Sequence, residues 1–404
     1  MDIDCLNQMT LKSFIMNIVF IYAGEILPER GGVQRVTSVL ADYFEFKGLS
    51  VYYLSVAKKK ETSLASSRQH FLPYSANIKK NIPFYINFLK EKDISVVINQ
   101  SGIHPEISNL VHEAGKINIK IISVINNSIL SGIKNFSSLY KIKAQSLNLA
   151  FLLPLANVKI LNRFLCFLYK LKYQRHYKDL YLKSDKVILL SDEFREELGY
   201  MTGKILDKTI AIMPNPISFT PSFVNLKNKK NELLFVGRVD CLYKQVDLLL
   251  VIWSKLHIDF PDWELKIVGG GGESKKLERL SKALRLKRVS FEGFQNPTSY
   301  YRSASIFCLT SLSESFGMVL IEAMQFGVVP FAFNSYPSVI DIIDHKKNGI
   351  LIPPFDCDKY SEELSRLMRD KTRRDQVAIM AQEKSSLFSI EKIGADWMRL
   401  FNNI

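Results

Sequence analysis

Cysteine is scarce in this chain. Cys5, Cys166, Cys241, Cys308 and Cys357 are scattered through 404 residues, an odd number with no C-x-x-C pair. That spacing argues against a disulfide framework or a cysteine metal site and fits buried thiols in a reducing compartment. Also missing is an apolar run of the ~18 residues that a membrane-crossing helix needs. The opening MDIDCLNQMTLKSF carries acids where a secretory leader needs bases, and Met16–Ala23 reads as a first strand. The expectation is a cytoplasmic chain that starts at Met1 or at Met16. There is no short repeat and no low-complexity tract, and no D-x-D metal site is expected; Asp341 and Asp344 are not placed to form one.

What is present is an apolar, basic, globular composition. Hydrophobic residues make up 47% and charged residues 23%, and the length exceeds one ordinary core, so two domains are expected. Net charge is +14, and it is uneven: residues 134–186 hold eleven Lys/Arg against two acids. A local excess of this kind points to an anionic partner, whether a membrane surface, a nucleic acid or a phosphorylated substrate.

Strand-like and helix-like segments alternate along the chain. NIVFIYAGEI, LSVYYLSVA, DISVVINQ, IKIISVINN and DKVILLS are apolar strands separated by helical segments, the first of which opens at Gly31–Gly32. ELLFVGRV, WELKIVGGGGE, VSFEGF, SIFCLTS and VVPFAF form a second series. The pattern predicts an α/β chain of two Rossmann-like halves, each a parallel sheet covered on both faces, with ligands at the carboxyl ends of the strands. Residues 1–190 are expected to form the first domain and 191–387 the second, with the polar stretch Pro221–Asn231 marking a boundary. A terminal helix over about 388–404 is expected to pack back on the first domain.

The stretch TSLSESFGMVLIEAMQFG, Thr310–Gly327, is the most informative. Glu322 lies in an apolar helix, Met318–Phe326, where an ionised carboxylate is costly unless hydrogen-bonded. Ribose hydroxyls are suitable donors. Glu314 stands eight residues earlier, about 12 Å away if helical, a separation that suits two parts of one elongated ligand. Between them, the helix start at Phe316–Gly317 presents free amides to an anion. The alternative is an ordinary exposed helix with a capping turn. Arg238 and Lys244 follow the strand ELLFV and Gly237, and a guanidinium with an ammonium suits a diphosphate; otherwise they are two surface cations. The glycine loop from Gly269 and the Gly31–Gly32 pair offer further backbone seats for an anion, or simple turns.

Gly237-Arg238…Lys244, the loop Gly269–Gly271 and Glu314-Ser-Phe-Gly…Glu322-Ala, with Gly31-Gly32 near the start, resemble the retaining nucleotide-sugar glycosyltransferases of family 4. MPNPI at Met213–Ile217 and NGILIPP agree. The resemblance covers about Met16 to the end, and is stronger in the second half. It implies a GT-B fold with a donor cleft between two Rossmann-like domains, and sugar transfer that retains anomeric configuration and requires no metal. By it, Arg238 and Lys244 hold the donor diphosphate, Glu322 the ribose hydroxyls and Glu314 the sugar hydroxyls. Amides near Phe316, Gly317, Gly31 and Gly32 line the phosphates. The implied donor is a UDP- or GDP-sugar, a substrate rather than a cofactor. One departure stands out. Where relatives carry a His-Asn near the anomeric carbon, this chain reads SVINNS, with Asn126 in the slot of the His and Asn127 after it. Asn cannot take up a proton at neutral pH. His104, after the preceding strand, is a further candidate for the acceptor or sugar side.

The basic segment contains Val158–Lys178, which laid on a helix gathers Lys159, Arg163 and Lys170 on one face and Leu161, Phe164, Leu168 and Leu171 on another. That suits a helix in the interface of an anionic membrane, or a domain helix on its core. The resulting expectation is a cytoplasmic, peripheral membrane glycosyltransferase acting on a glycan or lipid-linked acceptor in cell-surface polysaccharide or lipopolysaccharide synthesis. The rivals are a non-catalytic relative that binds nucleotide-sugar or glycan, and a nucleic-acid-binding protein. The second lacks any reading module, and no nucleic-acid partner is expected.

Overall fold

A computed structural model describes residues 16–56, 67–134, 158–203, 209–217 and 224–404. It contains two parallel sheets. The first has the order β3-β2-β1-β4-β5-β6-β7. Its strands are β1 (Asn17–Tyr22), β2 (Ser50–Ser55), β3 (Gln69–Phe71), β4 (Ile94–Asn99), β5 (Lys120–Ile125), β6 (Lys186–Leu189) and β7 (Ile210–Ile212). β1 pairs in parallel with β2, Asn17 opposite Ser50, and on its other edge with β4. Its run Ile18–Ile21 is fully buried, as a strand covered on both faces requires.

The second sheet has the order β10-β9-β8-β11-β12-β13. It comprises β8 (Glu232–Val236), β9 (Glu264–Val268), β10 (Val289–Gly293), β11 (Ile306–Leu309), β12 (Val329–Phe333) and β13 (Ile350–Ile352). In each sheet the strand order reverses beside the first strand of its series: β1 lies between β2 and β4, and β8 between β9 and β11. Open sheets of this kind bind ligands at such switch points, beyond the carboxyl ends of the strands.

Several helices position the groups of interest. They are α1 (Gly32–Phe46), α2 (Ile82–Glu91), α3 (Pro105–Val111), α4 (Ser131–Lys134), α5 (Val158–Lys183), α6 (Phe194–Thr202), α7 (Val246–Ser254), α8 (Ser274–Ala283), α9 (Thr298–Ser303) and α10 (Met318–Gln325). After them come α11 (Val339–Ile342), α12 (Cys357–Arg369), α13 (Lys371–Ser385) and α14 (Ile390–Phe401). Helix α10 starts at Gly317 and is followed by Gly327, both with positive φ, +97° and +67°. The Cβ of any larger residue would be strained at either end.

The first sheet continues past residue 190 to β7. The compact units are residues 1–124 with 183–186 and Ile404, and residues 125–182 with 187–403, so α14 lies in the second unit. Apolar alternation marks strands, but not which neighbours a strand packs against most densely. Cys166, Cys241, Cys308 and Cys357 are free thiols, and Cys5 lies outside the described residues.

Candidate functional site

The second unit carries most of the sequence-derived site. Gly237 follows β8 and Gly269 follows β9; both have positive φ, +155° and +135°. A Cβ on Gly269 would lie 1.9 Å from the Gly237 carbonyl, and one on Gly271 2.2 Å from that of Val239. The glycine loop is thus demanded by backbone packing: Gly237 N–H donates to Val268 at 3.0 Å and Val239 N–H to Gly270 at 3.0 Å. This close approach fixes where Arg238 leaves the sheet. Its guanidinium is 59% exposed, donates to Asp240 at 2.6 Å and lies 5.3 Å from the Tyr243 ring centroid.

Asp240 organises the loop that follows. One carboxylate oxygen accepts from the amides of Leu242, Tyr243 and Lys244 at 3.1, 2.6 and 3.0 Å. Burial pushes this carboxyl up, but the Lys244 amide and the Arg238 side chain outweigh it and hold it below its ordinary value. Arg238 and Lys244 are therefore set by one carboxylate. The backbone at Lys244 and Gln245 is held to the end of β11 by the Thr310 hydroxyl, at 3.1 and 3.0 Å.

Lys244 meets Glu314. Its Nζ donates to both carboxylate oxygens at 2.5 and 2.7 Å, with the two side chains 18% and 12% exposed. The Ser311 hydroxyl donates to the same carboxylate at 2.5 Å. Lys244 and Glu314, assigned from sequence to diphosphate and sugar, thus hold each other. Beside them Phe316 is buried, and the Gly317 backbone is so close to Tyr336 that a Cβ there would lie 2.6 Å from the phenol oxygen. That hydroxyl is buried and has no hydrogen-bond partner among the described residues. Burial, and then the charge of Glu314, push its pKa far up, so it stays protonated. Glu322 is 1% exposed and accepts from the Tyr301 hydroxyl at 3.1 Å. The costly carboxylate of the apolar helix has a partner, and it is a tyrosine.

A third segment of this unit completes the cluster. The loop after β5 places Asn127 against Ser315, whose hydroxyl donates to the Asn127 side-chain oxygen. Ser131 at the start of α4 lies 2.6 Å from the Ser313 hydroxyl. The loop thus touches the residues on either side of Glu314. Of the two candidates from sequence in this loop, Asn126 is buried and Asn127 reaches the Glu314 loop through Ser315.

In the first unit, Gly31 caps α1 with φ 178°, an extended conformation open to any residue. A Cβ at Gly32 would meet nothing within 4 Å, and one at Gly31 would meet the end of the Gln34 side chain at 2.5 Å. His104 is exposed at the start of α3.

On helix α5, Lys170 is half-buried, its Nζ 4.5 Å from the ring centroid of the exposed Tyr200. Arg163 is exposed, and the Lys159 side chain lies outside what the structure describes, as do residues 135–157 of the basic segment. The exposed side of α5 is apolar: Ile160, Phe164, Phe167, Leu168 and Leu171 all face outward, at the three- and four-residue spacing of one helix face. Arg175 and Lys178 are exposed farther along. None of the described helices is long and apolar enough to cross a membrane.

Residues 218–384, which include β8 to β13 and the Lys244–Glu314 cluster, match the family Glycosyl transferases group 1. Among curated relatives, the chain is 34% identical over 215 residues to an uncharacterized glycosyltransferase of Haemophilus influenzae, covering 53% of this chain and 60% of that one. It is 28% identical over 203 residues to a Campylobacter jejuni N-acetylgalactosaminyltransferase named for an undecaprenol-linked glycan, covering 49% and 55%. The chain spans little more than half the length of these relatives. The apo lipopolysaccharide outer core galactosyltransferase WaaB superposes with a TM-score of 0.68 at 18% identity, over 96% of this chain and 100% of that one. Other matching structures were solved with UDP or UDP-glucose. At this identity such matches establish the fold, which is GT-B, as the two parallel sheets require.

Within this segment, the sequence reading missed Asp240, Ser311 and Tyr336. Asp240 had a legible signal, a short acid just after a strand and ahead of a helix, where such side chains bind the amides that follow. Tyr336 had none, because its neighbour Gly317 is remote in the chain.

Proposed function

We propose that this chain transfers a sugar from a nucleotide-sugar, a UDP- or GDP-sugar, to a glycan or lipid-linked acceptor, with retention of configuration and without a metal. The observation that carries the reading is the cluster of Lys244, Glu314 and Ser311 at the carboxyl ends of β8 and β11, beside the switch point of the second sheet. Lys244 and Arg238 take the donor diphosphate, where negative charge grows as the nucleotide leaves. Glu314, released from Lys244, turns to hydroxyls of the sugar. The amides that open α10 face the phosphates, and Glu322 shares its carboxylate between Tyr301 and the ribose. The bond from the anomeric carbon to the phosphate breaks as the bond to the acceptor oxygen forms on the same face, and the leaving phosphate takes the acceptor's proton. Asn126 and Asn127, neither of them a base, stand beside this step and orient it.

The setting is the cytoplasmic membrane face, in the synthesis of a cell-surface glycan. The apolar side of α5, with Arg175 and Lys178 in line, suits burial in the headgroup region of an anionic bilayer. The undecaprenol-linked glycan in a relative's name favours a lipid-linked acceptor.

A thermal-shift panel of UDP-, GDP- and ADP-sugars tests the donor. A ligand at ~100 times its Kd adds about 2.7 kcal/mol of stability. A shift by one sugar nucleotide, with transfer or slow donor hydrolysis, supports the reading. Binding without turnover makes the chain a non-catalytic relative, and no shift with any donor ends the proposal.

A further inference from the structure

We propose that Glu197 is a positioning residue for sugar transfer: its carboxylate clamps the loop Asn126–Ser131 and thereby sets the contacts of that loop on both sides of Glu314. The inference rests on the reading of Glu314 as the residue that meets the donor sugar.

Glu197 lies on α6 in the same apolar phase as Phe194, Leu198 and Met201, all fully buried, and its own side chain is 1% exposed. A carboxylate in that position is costly unless its lone pairs are filled. They are filled from one short stretch. One oxygen accepts from the Ser128 hydroxyl at 2.7 Å and from the amides of Ile129 and Leu130 at 2.7 and 3.2 Å. The other accepts from Lys134 at 3.1 Å. A carboxylate offers about four such acceptor positions, so the donors of Ser128–Lys134 occupy the group. Ser128 in turn accepts from the Ser131 amide at 2.9 Å.

Among the described residues the hydrogen bonds to Glu197 come from Ser128, Ile129, Leu130 and Lys134, and the loop it holds makes two contacts with the Glu314 loop. The Ser131–Ser313 pair lies at 2.6 Å, and Ser315 donates to Asn127. Both contacts use short side chains, which cannot follow a shifted backbone. A displacement of about 1 Å in such a support costs on the order of 100-fold in rate even when it lies away from the reacting atoms. A charged clamp buried under a single loop is therefore a means of fixing that loop.

The test compares wild type with Glu197→Gln, Asn127→Ala and the double variant. Two readouts are used: amide hydrogen exchange at Ile129 and Leu130, and steady-state transfer or donor hydrolysis. In Glu197→Gln, exchange at both amides speeds up while protection in the two sheets is kept. Its kcat falls about 10- to 100-fold, with KM for the donor and affinity for the nucleoside diphosphate within about threefold. The double variant loses little more than the worse single one, because both act through one contact. If Glu197→Gln does not fold, Ser128→Ala, which removes one donor and spares the carboxylate, replaces it with the same expected split. Faster exchange with unchanged kcat overturns the positioning role, and so do additive losses. Unprotected amides in wild type overturn the clamp itself. A wild type that turns over no nucleotide-sugar sinks the parent reading, and the exchange result then decides the clamp alone.

Discussion

At the scale of single residues, Lys244 and Glu314 are the centre of the account, because each is the other's partner in the structure. Both are mostly buried, so removing one leaves a charge with little compensation. Lys244→Ala is expected to lower stability by on the order of 3 kcal/mol, and adding Glu314→Gln to restore most of it. Urea midpoints of the four proteins check this; an unaffected Lys244→Ala would mean that the pair does not persist in solution. Tyr336 behaves in the opposite way. Its hydroxyl is a buried donor with no acceptor among the described residues, so deleting it removes a penalty. Tyr336→Phe should melt at or above the wild-type temperature. A drop of several degrees would show that the hydroxyl does have a partner.

At the scale of elements, the loop from β8 to α7 is held by one acid and is therefore sensitive to pH. The Asp240 carboxyl is depressed in the folded chain. Its contribution is present in full above the ordinary carboxylate value of ~4 and is lost as pH falls through the folded value. Asp240→Asn should be less stable than wild type at pH 6, and the gap should close in acid; urea midpoints along a pH series measure it, and a gap independent of pH would contradict the assignment. Helix α5 makes a second prediction. Changing Phe164, Phe167 and Leu171 to Ser should release the protein from anionic vesicles, and salt should weaken wild-type binding through Arg175 and Lys178. A triple variant that still floats with the vesicles would refute this surface. The helix was legible as amphipathic, but its outward side was not. The cations and the apolar side chains were read onto two faces with the core-facing one left open; in the structure Lys170 lies over the Tyr200 ring and Phe164 is exposed. Periodicity defines two faces and leaves open which one meets the core. Glu197 shows the converse. A glutamate in phase with Phe194, Leu198 and Met201 carries the same signal that singled out Glu322, and that signal went unused.

At the scale of the whole molecule, the alternation of strands and helices was legible because buried parallel strands are continuous apolar runs, such as Ile18–Ile21 and Leu233–Phe235. The register between strands, and the reversal of order at β8 and β11, are not local properties and emerged only in three dimensions. The residues at those strand ends were readable as chemistry, but their pairing was not: sequence separates Lys244 from Glu314, and the sheet joins them. The same distance hid Tyr336 behind Gly317. The claim that this cluster is a nucleotide-sugar site is tested most directly by calorimetric titration of UDP- and GDP-sugars into wild type, Arg238→Ala and Lys244→Ala. The account predicts that one donor binds wild type and that each substitution weakens it at least tenfold, about 1.4 kcal/mol. A donor that binds all three proteins equally well, or none that binds wild type, would contradict it.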